Sequence, residues 1–85
     1  MIEEEIKKRL AFLNSTSFIL KDESELHRGH SGNNGSSHFN IKIVSEKFSG
    51  KSRMERHRMI YQALGDLFPN TIHALSIKAI TKEEE

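Results

Sequence analysis

Phe39, Ile41 and Ile43 alternate with His38, Asn40 and Lys42, a period of two that gives a strand one apolar and one polar face. The residues after this strand narrow the fold further. Phe48-Ser49-Gly50 breaks the alternation. Ser52-Arg53-Met54-Glu55 then has the capping-box arrangement, in which a hydroxyl and a carboxylate satisfy the first free N–H groups of a helix. Met54, His57, Tyr61, Leu64 and Phe68 lie on one helical stripe, widened by Ile60 and Leu67, and Pro69 stops it by pushing its predecessor out of helical geometry. Residues 72–80 form a last strand with His73, Leu75, Ile77 and Ala79 on one face. Strand, helix and strand in succession make a right-handed crossover, so these two strands are expected to be parallel.

The N-terminal half supplies one more of each element. Ile2, Ile6, Leu10 and Leu13 recur at helical spacing. Glu3–Lys7, Glu4–Lys8 and Glu5–Arg9 are i,i+4 pairs with the acid on the N-terminal side, the better orientation. Asn14 and Ser15 punctuate the end, and 17–21 reads as a short strand with Phe18 and Leu20 on one face and Ile19 on the other. Residues 22–37 hold a single large apolar residue, Leu26, and read as a long loop. The expected order is α-β-β-α-β in one domain over residues 1–85. The loop joins the first two strands as an antiparallel pair, and both helices cover one face of a three-stranded sheet. The tail 81–85 is polar and is expected to fray.

With 85 residues the chain can build one core and has little left for an enclosed pocket. It contains no cysteine. That excludes disulfides, a thiolate nucleophile and an iron–sulfur cluster held by the chain's own sulfur. Any metal would need histidine or carboxylate ligands. A formal net charge of +1 is too small to argue for nucleic acid by itself. No apolar run approaches a membrane span, and the acidic start Met1-Ile2-Glu3-Glu4-Glu5 is the reverse of a secretory or mitochondrial leader. The chain is therefore read as cytoplasmic or already matured, without membrane contact. Ser, His and Asp occur, but no context resembles a nucleophile elbow. Gly32-Asn33-Asn34-Gly35 matches a phosphate-clamping GxxG by letter alone, since it falls between strands and not between helices.

Five histidines are the conspicuous chemical feature, because neutral imidazole ligates zinc, iron and copper. His57 lies on the helical stripe and reads as a structural histidine. His38 opens a strand and reads as a solvated polar-face residue. His27 and His30 lie in the glycine-rich loop, where spacing alone favours no ligand role. His73 sits at a strand entrance, and periodicity leaves its role open. Lys51, Arg53, Arg56 and Arg58 make the start of the second helix basic, which suits phosphate contact. Interspersed Glu46 and Glu55, with no aromatic between, fit a solvated helix face better.

Taken together, Ser37-His38-Phe39, Val44-Ser45-Glu46-Lys47-Phe48-Ser49-Gly50, Arg56-His57-Arg58-Met59-Ile60-Tyr61 with Leu64, and His73-Ala74-Leu75-Ser76-Ile77 resemble the BolA family in order and spacing. The resemblance implies an α+β fold of the class II KH-like type, α-β-β-α-α-β. It has a three-stranded mixed sheet, helices on one face, and an extra helical turn near residues 68–71. It also implies partnership with a monothiol glutaredoxin in a heterodimer, and a role in iron–sulfur cluster assembly, trafficking or iron regulation. In such complexes the glutaredoxin and its glutathione supply sulfur to a shared [2Fe–2S] cluster. The BolA-like chain adds the histidine of the HAL motif, here His73, and often a loop residue, here His30 ahead of His27. The isolated chain is then expected to be a monomer without cofactor and not an enzyme. The other reading is a DNA- or RNA-binding transcriptional regulator using the KH-like fold and Lys51, Arg53, Arg56 and Arg58.

Overall fold

The computed structural model describes residues 2–23, 38–68, 72 and 74–85. Its main elements are α1 (Ile2–Arg9), β1 (Ser17–Asp22), β2 (His38–Val44), α2 (Arg53–Leu64) and β3 (Ala74–Ile80). Short 3-10 turns occur at Ala11–Leu13, Glu46–Phe48, Gly65–Leu67 and Lys82–Glu84. The order expected from the sequence is the order found. The turn at Gly65–Leu67 directly extends α2, whereas residues 69–71 of the expected extra turn lie outside the described residues. No helix among the described residues is long and apolar enough to cross a membrane.

The sheet order is β1-β2-β3, with β2 in the centre. β1 pairs antiparallel to it, Phe18 opposite Ile43 and Leu20 opposite Ile41. β3 pairs parallel to it, from His38 opposite Ala74 to Val44 opposite Ile80. The alternation in β2 sends Phe39, Ile41 and Ile43 into the core. There they meet Ile6, Leu10 and Leu13 from the first helical segment and Ile60 and Leu64 from α2. Both helices thus cover one face, and burying these side chains is the main favourable term in the fold.

Local chemistry sets the boundaries. Asn14 adopts a left-handed conformation (φ 48°) after the Ala11–Leu13 turn, a conformation asparagine tolerates better than most residues. Gly50 has φ 76° and leads the chain toward α2, a conformation that glycine takes without a Cβ penalty. The Ser52–Glu55 capping box is complete: Glu55 N–H donates to Ser52 Oγ at 3.1 Å and Ser52 N–H donates to Glu55 Oε1 at 2.7 Å. Ser45, between β2 and the next turn, is buried; its hydroxyl donates to the Leu13 carbonyl at 2.6 Å and accepts from Lys47 N–H at 3.1 Å.

Two expectations are corrected. The stripe of α2 is rotated: the buried residues are Arg56, Ile60 and Leu64, while Met54 is 70% and Tyr61 41% exposed. Arg56 takes the inward position because carbonyl and carboxylate partners await its guanidinium there. The tail does not fray either. Thr81 is buried and forms a second capping box with Glu84, and Glu84 clamps Arg56.

Candidate functional site

Three chain segments meet at one end of the sheet. Among the described residues, the outermost bond of the β1–β2 pairing is Glu23 N–H to the His38 carbonyl at 2.7 Å, and His38 is also the residue opposite Ala74, the first of β3. The chain between 23 and 38 therefore leaves and re-enters at this end, and the residue covalently preceding Ala74 belongs to it too. Those are the segments that carry His27, His30 and His73. All three histidines lie outside the described residues. His38 stands on the sheet face away from the helices, half-buried, with Nε2 3.5 Å from Ser76 Oγ.

Among the described residues, no group of three or more His, Asp or Glu side chains gathers to hold a metal ion. With no thiol in the chain, the available donors are imidazoles and carboxylates. Such a set fits a cluster shared with a sulfur-bearing partner, because two histidines can ligate one iron of a [2Fe–2S] centre while thiolates hold the other. It does not fit a resident all-protein cluster.

A second feature lies where the start of α2 faces the edge strand β3. A groove of about 620 Å³ is lined by Lys51, Arg53 and His57 on one side and by 77–80 and Glu84 on the other. Burial, and then the charge of Arg53, lowers the His57 pKa, so this imidazole is neutral near pH 7. Lys51, Arg53 and Arg58 are exposed. Arg56 is not available in the same way. Its Nε donates to the Lys51 carbonyl at 3.0 Å, Nη1 to the Ala79 carbonyl at 3.1 Å, and Nη1 and Nη2 to the two Glu84 oxygens at 2.6 and 3.0 Å. The hydrogen bond to Glu84 raises the Arg56 pKa, and the same contact holds the Glu84 carboxyl down to about 2.

The structure thus brings Lys51, Arg53 and Arg56 to one groove, with Arg58 farther along the exposed helix face, beside Lys51, Glu55, Met59 and Gln62. Lys78 and Glu84 line the groove too, and sequence reasoning missed them. Both lie on other elements: the β2–β3 register places Lys78, and the contact with Arg56 places Glu84. The alternation of charged and apolar residues in 74–80 was the available signal for Lys78.

Residues 10–84 match the family model described as BolA-like protein. The chain belongs to the BolA-like family. As a BolA-like chain it is 40% identical over 89 residues to SufE-like protein 1, chloroplastic/mitochondrial, of Arabidopsis thaliana, covering 98% of this chain and 23% of that protein. It is 38% identical over 85 residues to the DNA-binding transcriptional regulator BolA of Vibrio cholerae, covering 99% of this chain and 78% of that protein. The solved BolA domain of SufE1 from Arabidopsis thaliana superposes with a TM-score of 0.83 at 40% identity, over 96% of this chain and 93% of that one. The BolA-like chain therefore spans about a quarter of the first relative's length and about four-fifths of the second's. The KH-like α+β architecture expected from the sequence is the architecture of these relatives.

Proposed function

We propose that this BolA-like chain is a binding partner, not an enzyme. In this reading it shares a [2Fe–2S] cluster with a monothiol glutaredoxin in iron–sulfur cluster assembly, trafficking or iron regulation. His73 and His30 are the nitrogen ligands on its side, and the glutaredoxin with its glutathione supplies the sulfur. The observation that carries the reading is the sheet register. The segments bearing both histidines attach at one end of the sheet, at Glu23, His38 and Ala74, in a chain that has no cysteine thiolate of its own.

The test is to mix the chain with a glutathione-loaded, cluster-bearing monothiol glutaredoxin and follow visible absorption, circular dichroism and size exclusion. A 1:1 complex with an altered cluster spectrum is expected, lost in His73→Ala and shifted in His30→Ala. An unchanged spectrum with no complex sinks the reading, and a wild-type spectrum in His73→Ala removes that residue from the ligand set.

The second reading, binding of nucleic acid as a transcriptional regulator, is favoured by exposed Lys51 and Arg53 on the α2 groove and Arg58 beside it. The relative from Vibrio cholerae is named for DNA binding. Salt-dependent binding of a labelled oligonucleotide is the expected result; no binding even at low salt removes it.

A further inference from the structure

The sheet face turned away from the helices carries its own row of cations. On this face Ile19, Lys42 and Lys78 lie side by side across β1, β2 and β3, and Lys21, Asn40 and Ser76 form the next row. Lys42 and Lys78 are direct cross-strand neighbours, a like-charge pairing that destabilises a sheet unless something neutralises it. Among the described residues, Lys21 and Lys78 have no acidic partner. Lys42 has only Glu85, at 3.9 Å with both side chains substantially exposed, a pair of little energetic weight. Lys21, Lys42, Lys78, Asn40, Ile19 and Glu23 line a shallow depression of about 240 Å³. Lys78 lines this depression and also the α2 groove with Lys51 and Arg53. The cations therefore form one continuous band. It crosses the open sheet, turns round the β3 edge and ends at the start of α2.

We propose that this band, Lys21–Lys42–Lys78 continuing to Arg53 and Lys51, is a track for the phosphodiester backbone of single-stranded nucleic acid. The inference rests on the second reading above, and relocates its main contact surface from α2 to the sheet. A band that bends round an edge suits a flexible single strand and not a straight duplex. Two strand spacings across the sheet are roughly 10 Å, so together with the edge the track holds on the order of 4–6 nucleotides, within the range of small single-strand sites. Lysine ammonium groups act as point charges on phosphates, and Asn40 and Ser76 add hydrogen-bonding groups between them. Among the described residues the face carries no Phe, Tyr or Trp for base stacking, only the His38 imidazole at one end, so binding is largely sequence-independent and strongly salt-dependent.

The test compares wild type, the triple variant Lys21→Gln/Lys42→Gln/Lys78→Gln, the corresponding triple Lys→Arg variant, and Lys51→Gln/Arg53→Gln/Arg58→Gln. Fluorescence anisotropy is read with a labelled 12-nucleotide thymidine strand and a 12-base-pair duplex, from 20 to 200 mM NaCl. Thermal melts establish that each variant is folded. The expected result is tighter binding of the single strand than of the duplex. The triple glutamine variant binds the strand roughly tenfold or more weakly at low salt, its log–log salt slope shallower by about 2 for three lost phosphate contacts, and arginine restores both. If only the α2 variant loses affinity, nucleic-acid binding stands and the sheet track is overturned. If wild type binds neither probe at 20 mM NaCl, both fall together.

Discussion

Arg56 and Glu84 meet at two points, Nη1 to Oε1 at 2.6 Å and Nη2 to Oε2 at 3.0 Å, across 28 residues of sequence. The contact ties the start of α2 to the turn after β3, while the same guanidinium holds the carbonyls of Lys51 and Ala79 and sits 5.9 Å from the Phe48 ring centroid. One side chain thereby joins four parts of the chain. A planar guanidinium suits this task and an ammonium does not, because its donors are fixed in a fork.

Arg56→Ala is expected to lower unfolding free energy by about 2–3 kcal/mol, since it leaves the buried Ala79 carbonyl without its donor and removes packing on Phe48. Arg56→Lys should recover less than half of that loss. Urea unfolding of the three proteins measures both, and a wild-type midpoint for the alanine variant would show the clamp to be dispensable.

Acid sensitivity should arise from the same pair. The Glu84 carboxyl is held at about 2 in the folded protein against 4.5 ordinarily, first by its hydrogen bond with Arg56 and then by the Thr81 backbone N–H. A folded pKa below the unfolded one adds stability that is whole above about pH 5 and drains away as pH falls toward 2. Glu84→Gln should therefore be less stable than wild type at pH 7, and the difference should shrink steadily between pH 5 and 2. Denaturation midpoints taken at intervals over that window give the answer; a gap independent of pH would assign the effect to packing instead. Asp66 and Glu5, both lowered mainly by hydrogen bonds from Arg9, and Glu55, lowered by the Ser52 backbone, leave a residual acid slope in the variant.

Ser45→Ala tests a buried hydroxyl that serves two backbone groups at once. Removing Oγ strands the Leu13 carbonyl and the Lys47 N–H, and should cost about 1–3 kcal/mol. Hydrogen exchange at Lys47 is the local readout: it should quicken relative to the α2 amides. Equal protection in both proteins would mean that other groups take over.

The rotation of α2 predicts a contrast between two of its apolar residues. Met54→Ser, at a position 70% exposed, should change stability by no more than about 0.5 kcal/mol. Ile60→Ala, at a fully buried position, should lose about 2–5 kcal/mol. Thermal melts of the two variants side by side decide it, and comparable losses would restore the stripe through Met54.

What the sequence made legible was local. The alternation in 38–43, the Ser52–Glu55 box and the breaks at Asn14 and Gly50 depend on neighbours within a few residues, and each appears where those residues dictate. The facing of α2 depended on partners 23 and 28 residues away, the Ala79 carbonyl and Glu84. No stripe of hydrophobic residues can anticipate an inward arginine satisfied from that distance. The ordered tail was hidden for the same reason: 81–85 is polar in composition, yet Glu84 and Glu85 have partners in Arg56 and Lys42. The basic α2 residues could be named from sequence, but their continuity with Lys78, Lys42 and Lys21 is a property of strand register, which composition does not encode.

The bond from Glu23 N–H to the His38 carbonyl ties together the two points at which the segment between them joins the sheet. The described pairing thereby holds both attachment points of the connecting segment at a fixed separation. Lengthening such a segment costs little, roughly 0.6 kcal/mol per doubling. Donor identity and spacing within 24–37 can therefore be rewritten, or a foreign peptide grafted there, without renegotiating the strand register. The fold behaves at this end as a socket, and the chemistry mounted in it is free to diversify at a rate the core is not.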